Sequence, residues 1–168
     1  MSVKHVDVRQ AHALQSDEGH TYIDVRSTPE YDQGHPAGAH NVPLLHLDPA
    51  TRQMLPNPDF VRVMRASHAP DARLLIGCQM GGRSSRAADI LAAAGYTDVS
   101  NVLGGFGGAR DRMTGQVLHE GWADAGLPVE TTAVPSSLML TVAEDSPPIL
   151  NQNPEATPRP WFGPSGSL

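Results

Sequence analysis

The sequence predicts an α/β domain built on a central, mostly parallel five-stranded sheet with helices on both faces. Two observations carry this. Short apolar runs alternate with helix-like segments over about residues 3–130, the rhythm of strand–helix–strand units. The helix-like segments are also bounded by start and stop residues: Asp7, Thr28-Pro29 and Asn57-Pro58 at beginnings, Gly34 and Gly95 at ends.

Taken in order, Lys4–Val6 reads as a first edge strand. Asp7 stands three residues before Gln10, the spacing of a capping box, and opens a short helix to about Leu14. Thr21–Val25 (TYIDV) is a second strand. Thr28 and Pro29 read as N-cap and first residue of another short helix, closed by Gly34. Asn41–Val42 is a brief strand stopped by Pro43, and residues 44–56 read as loop. Asn57-Pro58 repeats the helix-start signal, and Phe60, Val61 and Met64 give the helix after it an apolar side. Leu74–Gly77 (LLIG) is an apolar run of the kind that forms a buried central strand. In the next helix Ala87, Ile90, Leu91 and Ala94 follow i, i+3, i+4, i+7. Val99–Leu103 gives one more strand, before GGFGG at 104–108 breaks the pattern.

Composition removes several classes of function. The chain has 18 Asp+Glu against 12 Lys+Arg, which disfavours nucleic acid and anionic membranes as partners. A single cysteine makes neither an internal disulfide nor a thiolate-rich zinc site. No apolar run approaches the roughly 18 residues of a membrane span, and MSVKHVDVRQAHAL has no apolar signal core. A soluble, cytoplasmic protein with a reduced thiol is expected.

That thiol, Cys78, lies at the expected carboxyl end of the central strand, and Gln79, Met80, Gly81, Gly82, Arg83 and Ser84 lead into the best-marked helix. Ligands of open α/β sheets bind at that edge. The glycines let the loop amides turn inward, and the helix N-terminus adds partial positive charge. Arg83 and Arg86 add more, and no acid occurs between Leu74 and Ala88, so an anion trap is expected around the sulfur. Such surroundings favour the thiolate, which is the nucleophile. The bland alternative is a buried, inert cysteine.

The motifs resemble those of a single-domain rhodanese. IDVRSTPEYDQGHPAGAHNVP at 23–43 is similar to that family's DVR…E…GHI.GA.N.P stretch, with Pro36 in place of the usual aliphatic residue. CQMGGRS at 78–84 resembles the active-site loop, VLGG at 102–105 the later glycine motif, and WADAGLPV at 122–129 the closing helix and turn. The resemblance implies a rhodanese-like fold and a sulfurtransferase. Cys78 takes sulfur from a small anionic donor such as thiosulfate as a persulfide and passes it to a thiol or protein acceptor. It implies no metal and no organic cofactor. Residues 79–84 would bind the donor and stabilise the persulfide. Asp24, Arg26, Glu30 and His35 match motif positions and are expected to brace the loop. The rivals are an idle rhodanese-like binding module and a carrier dedicated to a protein acceptor. A cysteine phosphatase or arsenate reductase fits less well, because Arg83 gives C-x4-R where such loops have C-x5-R.

Other features have plainer readings. His35, His40 and His46 are spaced by five and six residues, which suits surface or turn-bracing histidines better than metal ligands. Asp24 reads as a backbone brace, with general base as the alternative. Arg86 is either a solvated helix residue or an electrostatic contributor. GGFGG lacks the frame of a nucleotide cradle and reads as a turn. Residues 106–121 form an insertion between motif segments that is expected to be a lid, an interface or a flap. From 131 to 168 the chain turns proline-rich. Trp161 and Phe162 are expected to anchor this arm in an apolar groove, on its own domain or on a second copy as a homodimer.

Overall fold

The computed structural model of the protein describes residues 3–132. The proline-rich arm beyond Thr132, with its anchoring aromatics and any dimer it forms, lies outside the described residues. The chain opens with β1 (Lys4–Val6), α1 (Val8–Glu18), β2 (Thr21–Asp24) and α2 (Thr28–Gln33). It continues through β3 (His35–Pro36), β4 (His40–Asn41), β5 (Leu45–Leu47), β6 (Met54–Pro56) and α3 (Phe60–Ser67). After these come β7 (Arg73–Gly77), α4 (Gly82–Ala93) and β8 (Asp98–Val102), and then three short strands, β9 (Ala109–Arg110), β10 (Val117–His119) and β11 (Val129–Glu130).

Five strands form one sheet in the order β1-β8-β7-β2-β4, and every pairing in it is parallel. The central β7 carries Leu74, Leu75 and Ile76, all fully buried, because helices cover both faces of the sheet. Alternation sends Leu74 and Ile76 to one face, against Phe60 and Met64 of α3 and Ala87 and Leu91 of α4. Leu75 goes to the other face, with Val8 and Ala11 of α1, Tyr22 and Trp122. Trp122 closes that second layer: its Nε1–H donates to the Pro128 carbonyl at 2.7 Å, and its ring meets Tyr22 edge-on at 5.4 Å.

Local chemistry explains where the elements begin and where the sequence expectations shift. Asp7 caps α1 as expected, its Oδ1 accepting from the Gln10 amide at 2.8 Å while Gln10 Oε1 accepts from the Asp7 amide. The helix runs to Glu18 rather than Leu14, because Gln15–Glu18 offers no breaker before Gly19. The N-cap of α2 is Ser27, not Thr28. Its amide and hydroxyl both donate to Glu30 Oε2, at 3.1 and 2.7 Å, and Pro29 moves one place inward. The cap of α3 is Asp59 rather than Asn57. Asn57 instead makes a turn, its Oδ1 accepting from the Asp59 amide at 3.0 Å and its Nδ2 donating to the Pro43 carbonyl at 2.8 Å.

Two further expectations are corrected. Residues 44–56 are not all loop, since β5 and β6 pair there as an antiparallel hairpin. Leu47, Met54 and Leu55 of that hairpin are exposed, so no buried face wrote an alternating pattern into the sequence. Trp122 to Gly126 forms consecutive turns, not a helix, before β11 pairs antiparallel with β3.

Candidate active site

β2 and β7 lie side by side with Asp24 opposite Gly77, and Cys78 is the next residue. From β7 the chain crosses to β8 on one side, while β2 leads to β4 on the other, so Cys78 stands where the sheet order reverses. The loop after it bends through Gly81 at φ +120°, a conformation side chains rarely take, and enters α4 at Gly82. The bend aims the amides of Gly81 and Ser84 at Cys78 Sγ, at 3.1 and 3.3 Å. The thiol lies 3.4 Å from Ser84 Oγ, as donor to it. Cys78 is 2 % exposed. Two amides at a helix N-terminus thus converge on one sulfur, an arrangement suited to negative charge there.

The back of the loop is clamped. Phe106 and Gly107 donate their amides to the carbonyls of Cys78 and Gln79, at 2.8 and 2.9 Å. Such close backbone approach requires Gly105, at φ +57°, because a Cβ there would overlap the Cys78 carbonyl. The end of VLGG, at Gly105, therefore lies against the cysteine loop and lets the next two residues clamp it.

Arg83 and Arg26 are paired and Arg86 lines a separate cleft, so of the expected anion trap it is the loop amides, not free arginine charge, that face the sulfur. Arg83 makes a two-pronged ion pair with Glu30, at 2.8 and 3.0 Å. These bonds are the main reason the Glu30 carboxyl is held at about 2, with Ser27 assisting and burial opposing. The same pairing keeps Arg83 more firmly protonated than a free guanidinium. Arg26 is buried and donates to both oxygens of Asp24, to the Gly34 carbonyl at 2.6 Å and to Gln79 Oε1 at 3.1 Å. Its guanidinium also sits 4.6 Å from the centre of the Phe106 ring. The stretch around the cysteine is acid-free along the chain, yet Asp24 and Glu30 reach it through space.

A profile of the rhodanese-like domain matches residues 7–110. The chain belongs to the rhodanese-like family. Two relatives from Arabidopsis thaliana stand out. The chloroplastic thiosulfate sulfurtransferase 16 is 36% identical over 125 residues, covering 74% of this chain and 91% of its own. Thiosulfate sulfurtransferase 18 is 35% identical over 128 residues, covering 75% and 82%. Among solved structures, Rv0390 from M. tuberculosis superposes with a TM-score of 0.62 over 79% of this chain and 100% of its own, at 24% identity. That last likeness is one of fold.

Within this rhodanese-like domain the sequence-predicted residues divide into groups. Three small groups surround Cys78: Asp24, Arg26 and Gln79; Glu30 with Arg83; and Ser84 with the sulfur itself. Met80 is 57 % exposed at the lip of the loop. Arg86 lines a separate cleft with Leu44, Leu45, Phe60, Val61 and Ile90, where no loop residue takes part. His35 stacks on Tyr31 with ring centres 3.6 Å apart, and its Nε2 lies 3.7 Å from Glu130, so its contacts brace β3 and β11. Among the described residues, no group of three or more His, Cys, Asp or Glu is placed to hold a metal, and no helix is long and apolar enough to cross a membrane.

Sequence reasoning missed Asn101. It is buried on β8, and its Oδ1 accepts the Ser84 hydroxyl at 2.6 Å. On the other side its amide nitrogen meets His5 Nδ1 at 3.3 Å, across the β1–β8 pairing. The signal that could have found it is an amide inside the apolar DVSNV strand, where a buried polar group needs partners.

Proposed function

We propose that the protein is a sulfurtransferase that moves sulfane sulfur from a small anionic donor to a thiol or protein acceptor through a Cys78 persulfide. The observation that supports this most is the convergence of the Gly81 and Ser84 amides on Cys78 Sγ. With thiosulfate, the Cys78 thiolate attacks the outer sulfur. A new S–S bond forms, the bond to the sulfonate sulfur breaks, and sulfite leaves with the electron pair. The terminal sulfur is then an anion within reach of the loop amides, Gln79 to Ser84, which stabilise it. An acceptor thiolate attacks that sulfur, the Cys78–S bond breaks, and Cys78 returns as thiolate. The scheme uses neither metal nor organic cofactor.

Asp24, Arg26 and Glu30 hold Gln79 and Arg83 in place and take no proton. Arg83 spends its charge on Glu30, so the loop amides are the main groups that meet an anionic donor. Two relatives that carry the name thiosulfate sulfurtransferase support the donor class. We place the chain in a reducing compartment such as the cytoplasm, where its one thiol remains free.

The test is intact mass after incubation with thiosulfate, beside a Cys78→Ser variant. Gain of one sulfur atom, removed by reductant and absent from the variant, is the expected result. No gain with thiosulfate or with a small-thiol persulfide would favour an idle binding module. Release of phosphate from an aryl phosphate, or reduction of arsenate, would favour the phosphatase-like rival.

A further inference from the structure

The insertion over residues 106–121 is a two-stranded hairpin rooted on the cysteine loop. Its first residues, Phe106 and Gly107, are the ones whose amides hold the Cys78 and Gln79 carbonyls. Two residues later β9 begins and pairs antiparallel with β10, Arg110 opposite Val117. The turn is tied by Asp111, whose Oδ1 accepts from the amides of Met113 and Thr114 at 2.8 and 2.9 Å. The root is thus tied to the cysteine loop by backbone bonds, and the tip is ordered by its own turn.

Between hairpin and loop lies a cleft of about 440 Å³, with Gln79 and Met80 on one wall and Arg110, Asp111 and Arg112 on the other. Its volume lies within the ~300–1,000 Å³ range of sites for organic ligands, and thiosulfate, with five heavy atoms, would leave most of it empty. The charges of the cleft are two guanidiniums against one carboxylate, in a chain of net charge −6. That carboxylate is turned to its own turn amides. Arg26 and Arg83 at the loop are matched by Asp24 and Glu30, whereas neither Arg110 nor Arg112 has an ion-pair partner among the described residues. Arg110 spends one N–H on the Gly115 carbonyl at 3.1 Å and keeps its charge uncompensated.

We propose that this cleft is a subsite for the carboxylate arm of an organic thiol, with Arg110 and Arg112 selecting acceptors that carry carboxylates close to the sulfur. For its sulfur chemistry the proposal rests on the sulfurtransferase function proposed above. The subsite itself requires only that an anion reaching Cys78 is drawn in through the hairpin.

The test compares alkylation of Cys78 by iodoacetate and by iodoacetamide, two reagents of nearly equal size that differ in charge, in wild type and in an Arg110→Ala/Arg112→Ala variant. The ratio of the two rates cancels any general change in the reactivity of the thiol. Two like charges lining the approach to a thiol in water alter the attraction of an anion there by about three- to tenfold. The iodoacetate-to-iodoacetamide ratio is expected to fall by that factor in the variant, and the difference to shrink in high salt. An unchanged ratio overturns the proposal. Neither reagent needs sulfur transfer, so a protein that forms no persulfide still reveals whether the cleft draws anions. Where persulfide does form, KM for a carboxylate-bearing peptide thiol should rise in the variant, while that for dithiothreitol should not follow it.

Discussion

Removing the Arg26 guanidinium by Arg26→Ala should remove a large part of the domain's margin of stability. Both side chains of the Arg26–Asp24 pair are nearly inaccessible, at 3% and 2% exposure. The substitution leaves the Asp24 carboxylate in the interior with the residue-26 amide as its remaining donor among these bonds, and it strips the Gly34 carbonyl and Gln79 Oε1 of their partners. Breaking a buried pair by deleting one partner costs about 3–5 kcal/mol, most of it the stranded charge. Against a total of roughly 5–15 kcal/mol for a natural domain, the loss is severe. At roughly 4 °C per kcal/mol for a domain of this size, Tm should fall by roughly 12–20 °C. Urea unfolding of the reduced protein measures the loss directly. The decisive control is Asp24→Asn/Arg26→Met, which removes both charges together and refills the space. It should be more stable than Arg26→Ala by about 2 kcal/mol. A loss under about 1 kcal/mol for Arg26→Ala, or a double variant no better than the single, would show that Asp24 finds water and that the pair is not the brace.

Three other outcomes are expected. Arg83 holds the Glu30 carboxyl at about 2, below its value in an unfolded chain, so the folded state binds that proton more weakly. The advantage of wild type over Glu30→Gln should therefore be constant above about pH 5 and vanish as pH falls from about 4.5 through 2. Both partners are partly exposed, so urea titration should show a gap no larger than about 1 kcal/mol. Gly105→Ala puts a Cβ on the Cys78 carbonyl at a positive φ, and a loss of about 2 kcal/mol or more is expected in thermal unfolding. Asn101→Ala leaves the buried Ser84 hydroxyl without its 2.6 Å acceptor, which costs about 1–3 kcal/mol. The hydroxyl is then left with the Gly81 carbonyl at 3.2 Å and Cys78 Sγ as its neighbours, so the iodoacetamide rate should change as well. An unaltered rate would show that Ser84 keeps its place without Asn101.

How far the chain can be read without its structure depends on the range of the interaction. The capping box of Asp7 and Gln10 spans three residues and is legible. So is β7, because burial on both faces writes an unbroken apolar run. The strand–cysteine–glycine–helix order locates Cys78 for the same reason. Charge around the sulfur is not legible in this way. A stretch without acids says nothing about Glu30 or Asp24, which arrive from a neighbouring helix and strand. The cap of α2 slips by one residue because serine and threonine carry the same signal, and only the reach of Glu30 decides between them. Asn101 escapes notice because its role depends on the register of β8 against β1 and on the start of α4 bringing Ser84 to it.

The order of strands in the sheet also bears on how the protein is made. β1 is synthesised first, yet it pairs only with β8, and the clamp on the cysteine loop comes later still, from Phe106 and Gly107. A nascent chain exposes Cys78 well before either partner has left the ribosome. Pairings so distant along the chain slow folding, since the loop must close before the contacts repay it. The back of the cysteine loop is held only once residues 106 and 107 have reached it. In a refolding experiment the clamp from Phe106 and Gly107 should thus form after the local bend that brings the Gly81 and Ser84 amides to the sulfur.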